Sequence, residues 1–347
     1  MNWLMWRQHR KQLLIFAGLL LIFIVIAVPS GLRFWHEYQQ LISNCAQNCN
    51  ETDLRRTVFK TQFDGLVTNF VKLTLLGLPF LLGLFLGVPL LAKEYAEKTN
   101  KLVWTQGISR KQWLTSKILW VLLATTVYAG IFSAVATWFL RTGSDINHDR
   151  FAPLAFASQG IVPVAIAVFA VSLGIMFGTW FKKVLPALGV TLGFLLVLQI
   201  AVPLLARTHY AVPTVHKTNS LFDGDKRGDP FEPQLPGDKG AWVVGDKLVN
   251  NSGQVFDWSS PPSSCKIAEP GSDTRETSEV EKRPSVIGRN NVFVNADCLN
   301  SLGYHWEIKY QPSYRYWNFQ RIETGLYAVL SLVAIGGTYI LVLKRDA

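Results

Sequence analysis

Six stretches of the chain, Leu13–Val28, Leu73–Ala92, Ile118–Leu140, Ile161–Phe181, Val184–Ala206 and Gly325–Leu343, contain no Asp, Glu, Lys or Arg. A helix needs roughly 20 mostly apolar residues, at about 1.5 Å each, to cross a hydrocarbon core of about 30 Å. Every run reaches that length, the first with help from Gln12 and Pro29–Leu32. The pattern predicts six transmembrane helices, numbered spans 1 to 6. Composition agrees: 49% of residues are hydrophobic, yet 34 Lys and Arg are present, a mixture that requires apolar blocks separated by charged loops.

A net charge of +10 raises the question of nucleic acid, and the location of the charges answers it. Arg7, Arg10 and Lys11 precede span 1. Lys93, Lys98, Lys101, Arg110, Lys111 and Lys117 fill the loop after span 2, Lys182 and Lys183 join spans 4 and 5, and Lys344 and Arg345 follow span 6. Every second loop is basic, the positive-inside pattern, which places both termini in the cytoplasm of a multi-pass plasma-membrane protein. A basic patch for nucleic acid is a poor account of such spacing. The first run is too long for a signal-peptide core, and Pro29-Ser30-Gly31 makes a poor cleavage site.

With the amino terminus inside, Arg33–Lys72, the short Arg141–Ser158 loop and Arg207–Arg321 lie outside, and all four cysteines fall on that side. Disulfides are permitted there. Two loops hold two cysteines each, so Cys45–Cys49 and Cys265–Cys298 is the simplest of three pairings. A metal site from Cys45, Cys49 and His36 lacks further ligands nearby. The segment 207–321 is rich in Pro, Gly, Asp and Ser, as expected of a small stapled domain. Within it, Tyr304–Tyr310 alternates as a half-buried strand does, with Tyr304, Trp306, Ile308 and Tyr310 on one face. Tyr314, Tyr316, Trp317 and Phe319 read as an interfacial aromatic belt.

Signs of catalysis are missing. The closest approach to a phosphate-cradling loop, Gly240–Lys247, has Asp246 where lysine is required. Asp223–Gln234 starts like a calcium loop but offers Arg227 at a ligand position. The spans hold none of the paired carboxylates, His-Glu-x-x-His or Gly-x-Ser-x-Gly of a membrane hydrolase. Glu323 and Gln199 are candidates for a substrate path, in spans whose other polar residues include Thr125, Thr126, Ser172 and Thr338. The loop at 93–117 is the most informative stretch. Glu94 with Lys98 and Glu97 with Lys101 form favourable i,i+4 pairs, so a short charged helix is expected before Gly107. Ser109-Arg-Lys-Gln112 reads as a capping box that starts the helix of span 3. This loop is either a docking element with Leu102-Val103-Trp104 as its key, or simply solvated.

The run from Lys93 to Arg110 resembles the loop between spans 2 and 3 of ABC-2 type transporter permeases, especially actinobacterial-type ones. Trp3–Arg10 is similar to their amino-terminal interfacial helix, and Tyr310-Gln311-Pro312 with Glu323-Thr324-Gly325 to the approach to their last span. The resemblance covers Met1 to about Ala206 and about Tyr304 to Ala347, while the ectodomain departs from the compact outer loop usual in the family. It implies a six-span half-transporter that dimerises, with itself or a second permease, and docks on a separate ATP-binding subunit. Glu94, Tyr95, Glu97, Lys98, Lys101 and Trp104 would belong to the coupling helix and its key. ATP and magnesium would sit in the partner subunit, and this chain would carry no cofactor.

The expected architecture is an all-α polytopic membrane protein with a small, partly β extracytoplasmic domain between spans 5 and 6. Residues 1–206 would form spans 1–5, residues 207–321 the outer domain, and residues 322–347 span 6 with its tail. The expected function is the permease of an ABC exporter for an amphipathic drug, peptide or lipid. The competing reading is a membrane receptor or assembly scaffold whose ectodomain binds a ligand.

Overall fold

The computed structural model describes residues 2–44, 70, 74, 77–98, 109–147, 150–218, 238, 240–267, 286–289 and 292–344. Two compact units emerge: Met1–Tyr210 with Tyr316–Ala347, and Ala211–Arg315.

Six helices are long and apolar enough to cross a membrane, Arg10–Glu37, Gly77–Ala96, Arg110–Leu140, Val162–Phe181, Val184–His209 and Ser313–Lys344, and apart from Ser313–Arg315 all their residues belong to the first unit. The chain is therefore a six-span membrane protein, as its uncharged runs predict. Parts of two stretches expected as loop, Arg33–Lys72 and Arg141–Ser158, are helical. The helix of span 1 continues from Asn2 to Asn44, through Pro29. Residues 32–44 contain neither Gly nor Pro to stop it. Beside the Val25 carbonyl that Pro29 leaves without its usual donor, the Ser30 hydroxyl donates to the Ile26 carbonyl at 2.7 Å. The helix of span 3 likewise reaches Asn147, and Pro153–Ser158 forms a short helix before span 4.

Span 4 is the hub. Of its most apolar window 83% is buried, against 17% for spans 1 and 5, which leave Leu14 and Leu21 on span 1 and Leu185, Val197 and Leu205 on span 5 exposed. Spans 2 and 4 meet backbone to backbone, because glycines line both: Gly83 and Gly87 face Gly174 and Gly178. A Cβ placed on Gly87 would lie 2.6 Å from the Val171 carbonyl oxygen, so no side chain fits there. Small residues allow this approach where lipid gives helices no hydrophobic reason to associate. Across the contact span 2 makes one π-helical turn, Gly83–Gly87, closed by the Val88 N–H donating to the Gly83 carbonyl. Around this pair, Phe16, Phe23, Leu82, Leu86, Trp113, Leu114, Phe132 and Val171 form one apolar core.

The second unit is partly β. Strands β1 (Thr214–Lys217), β6 (His305–Gln311) and β2 (Trp242–Val249) make an antiparallel sheet with β6 in the centre, and β3 (Lys266–Ile267), β5 (Val292–Asn295) and β4 (Val286–Arg289) make a second. On β6, Trp306 and Ile308 are buried and Lys309 is exposed, the alternation read from the sequence. They join Leu248, Phe256, Val294 and Leu299 in a small core against the Cys265–Cys298 disulfide, whose Cα atoms are 5.5 Å apart. The side chain and then the backbone N–H of Ser259 donate to Asp257 and hold its carboxyl below the usual carboxylate range. Cys45 and Cys49, and the Asp223–Gln234 segment, lie outside the described residues.

Candidate functional site

Among the described residues, the buried charges of the membrane unit, Glu94, Lys117, Arg207 and Glu323, lie at its two ends. The basic end gathers the segment after span 2, the start of span 3 and the turn between spans 4 and 5. At the far end, span 3 finishes and spans 4 and 6 begin.

At the basic end the helix of span 2 continues through Val88–Ala96, so Glu94 sits on its last turn rather than on a separate helix. Glu97 closes it with its N–H donating to the Lys93 carbonyl at 2.9 Å, and Lys98 turns the chain away in the left-handed conformation, φ 56°. Glu94 is 9% exposed and accepts from the Lys117 ammonium, itself 2% exposed, on the second turn of span 3. Lys117 Nζ also lies 4.7 Å from the centroid of the buried Trp113 ring. The expected Glu94–Lys98 pair is thus replaced by a long-range one, and Lys93–Glu97, 3.9 Å apart and exposed, is the i,i+4 pair observed. The reason is burial: the helix turns Glu94 inward, and an inward carboxylate needs a buried cation. Lys101 and Trp104 lie outside the described residues.

Two further contacts tie this segment to the bundle. Lys182 Nζ stands 5.2 Å over the Tyr95 ring, from the left-handed turn (φ 52°) that ends span 4. Ser109 Oγ accepts from the Gln112 N–H at 3.2 Å, the cap read from the sequence. The end of span 2 is therefore fastened to span 3 by an ion pair and to the end of span 4 by a cation on an aromatic face.

At the far end, Glu323 is 1% exposed and accepts two parallel bonds from Arg207, from Nε and Nη2, each 3.0 Å. Arg207 also donates to the Phe151 carbonyl at 3.3 Å, and its guanidinium lies 4.0 Å over the Phe156 ring. A π-helical turn, Val202–Ala206, rotates Arg207 into this position. One helical turn before Glu323, the buried Gln320 accepts from the Ile161 and Val162 N–H groups at 3.1 and 3.0 Å, and donates to the Phe156 and Gln159 carbonyls. Those N–H groups open the helix of span 4 and have no partner within it, so Gln320 serves as its cap from another element. Glu323, a substrate-path candidate by sequence, is thus the acceptor of a closed ion pair, while Gln199 is half-buried on span 5. Arg207, expected as the first residue of an outer loop, is buried in the membrane unit.

Among the described residues, neither end assembles a nucleophile with a base. Both join spans to one another, and the arrangement is mechanical. A sequence profile described as ABC-2 membrane transporter related matches residues 17–207, more than half of the chain. The chain belongs to that family. No curated protein and no solved structure matches it. This ABC-2 chain is accordingly a membrane permease of an ABC transporter, a transport component that is not itself catalytic. The matched region holds the whole basic end, Glu94, Lys117 and Lys182 included. Sequence reasoning missed Lys117, Arg207 and Gln320. Lys117 reads as one loop charge among several, although its position four residues after Trp113 puts both on one helix face.

Proposed function

We propose that this permease exports an amphipathic substrate, a drug, peptide or lipid, across the plasma membrane with both termini cytoplasmic. It pairs with a second permease copy or relative, and a separate ATP-binding subunit docks on the segment that follows span 2. ATP and magnesium act in that subunit. The observation carrying this reading is the fastening of the segment: Glu94 to Lys117 and Tyr95 to Lys182 link it to spans 3 and 4. A push on this segment passes into two helices at once, one of them the hub. The buried cations and carboxylates described at both ends are engaged in pairs, which suits a transporter powered from outside its own chain rather than by a proton relay.

Burial divides the labour within the segment. Glu94 faces inward and anchors it, whereas Lys93, Glu97 and Lys98 are exposed and available to a partner. Glu97→Lys reverses an exposed charge and forgoes only a surface pair with Lys93, worth about 0.3–0.5 kcal/mol. The variant is expected to reach the membrane in normal amounts and to lose its co-expressed ATP-binding subunit on co-purification. Full recovery of that subunit, with ATP hydrolysis at the level of the unmodified complex, would remove Glu97 from the docking surface.

A further inference from the structure

Span 2 is α-helical on either side of its π turn, Gly83–Gly87, and the sequence holds the cause of that turn. Pro89 has no N–H for the carbonyl of Phe85, four residues back, and in a regular α-helix its ring would press on that carbonyl. The turn widens instead. Val88 gives its N–H to Gly83, five residues back rather than four. Two consecutive steps of the helical ladder are thus altered where the two halves of span 2 meet.

A neighbouring span answers the loss. Gln12 of span 1 donates from Nε2 to the Phe85 carbonyl at 3.2 Å, across 73 positions of sequence. In hydrocarbon a carbonyl deprived of its helical donor finds no water, so a donor from the next span stabilises it. Span 4 leaves room for movement at this level. Span 2 meets it through Gly87 against Val171 and Gly174, and a Cβ on Gly178 would come within 2.5 Å of the Val88 carbonyl oxygen. Glycine faces lack the side-chain ridges that lock one helix into the grooves of another. About two helical turns beyond the π turn stands Glu94, held by the flexible Lys117. The other π turn, Val202–Ala206, has no such freedom, because it runs straight into Arg207 and its two bonds to Glu323.

We propose that Gly83–Gly87 with Pro89 is the joint of span 2, and that Gln12 is the positioning residue that sets its angle. The inference rests on the reading that a partner subunit pushes the segment after span 2. Such a push bends span 2 at the altered steps of its ladder, pivoting on the glycines of span 4. Glu94 and Lys117 carry the first turns of span 3 along, and the Gln12 bond to span 1 restores the resting angle. A bend of about 20° moves Lys93, about 8 Å beyond Val88, by about 3 Å.

Double electron–electron resonance on the purified full-length permease in detergent tests this, with spin labels on unnatural amino acids at the exposed Lys93 and Lys344. The chain with Gln12 should give one main distance. Gln12→Leu should add a second, shifted by about 3 Å or more. Gln12→Lys, which keeps a long donor, should not. Pro89→Ala returns an N–H to the Phe85 carbonyl and should abolish the second distance even alongside Gln12→Leu. A Gln12 that merely packed span 1 against span 2 would respond to its own loss and not to Pro89. Deletion of Phe85, whose side chain is 54% exposed, removes the extra residue of the turn and should act as Pro89→Ala does, giving a second reading should that variant fold poorly. No partner subunit is present, so the outcome is independent of whether the docking reading holds. A single unshifted distance in Gln12→Leu, or a second distance that persists through both Pro89→Ala and the Phe85 deletion, overturns the proposal.

Discussion

Among the described residues, each end of the bundle buries an ion pair, and the two pairs use different cations. Arg207 offers Glu323 a planar fork with two parallel bonds of 3.0 Å, a third bond to the Phe151 carbonyl and a stacked Phe156 ring. Each of these depends on direction, so together they fix the angle between the end of span 5 and the start of span 6. Lys117 offers Glu94 a compact charge on a flexible stem with rotatable donors. Glu94 can tilt or slide by a fraction of an ångström relative to span 3 and keep its partner. The far end is therefore locked in one geometry, and the basic end is held together without being held still. That difference suits a bundle pushed at its basic end by a partner subunit.

The largest effect expected from this contrast is at Glu323. Glu323→Leu leaves the Arg207 guanidinium, 1% exposed, without its counter-charge, and breaking a buried pair in this way costs about 3–5 kcal/mol. Thermal unfolding of the purified permease in detergent should show a loss large enough to reduce its yield in the membrane. Glu94→Leu should cost less, because the longer Lys117 stem can carry its ammonium toward the nearby membrane surface. An equal or larger loss at Glu94 would erase the difference between the two ends.

An intermediate effect separates charge from geometry. Exchanging the partners at the basic end, Glu94→Lys with Lys117→Glu, restores an attraction that needs little orientation. It should recover stability to within about 1 kcal/mol of the unmodified chain. The same exchange at the far end, Arg207→Glu with Glu323→Arg, removes the donor from the Phe151 carbonyl and the cation from the Phe156 ring. It should leave a deficit of about 2 kcal/mol or more from the orphaned polar groups. Full recovery at the far end would show that charge alone, and not the fork, holds spans 5 and 6.

The six spans were legible because hydrocarbon imposes a length and a composition that a linear scan can read. For span 3, the absence of Asp, Glu, Lys and Arg from Ile118–Leu140 was enough. The β6 alternation and the Cys265–Cys298 bridge were legible for local reasons, since one follows a period of two and the other joined the two cysteines of one loop. The ion pairs were not. Glu94 and Lys117 are separated by 23 positions, and Arg207 and Glu323 by 116, and nothing local tells either residue of a pair which partner it has. Local rules instead matched Glu94 with Lys98, the nearest cation of suitable spacing. Arg207 was hidden for a further reason: a π-helical turn shifts the face on which it falls, and helical spacing does not foresee such a turn. Gln320 carries no charge, so a scan for ionisable groups passes over it.

The smallest effect tests how far the looseness of the basic end extends. Ser109 Oγ accepts from the Gln112 N–H at 3.2 Å and caps the first turn of span 3, two turns before Lys117. Ser109→Ala leaves that N–H to water, at a cost of about 1 kcal/mol. A bundle whose basic end is held by separate local contacts should lose order only in that first turn. Amide hydrogen exchange around Gln112 and Trp113 should then quicken by about fivefold, which is the stated cost expressed as a ratio. Exchange from Leu114 onward should be unchanged, because Trp113 and Leu114 are packed in the apolar core and Lys117 keeps Glu94. Faster exchange reaching Val121 would mean that the cap and the ion pair open together. The basic end would then be one cooperative element like the far end, and the flexible ammonium would not explain the difference between them.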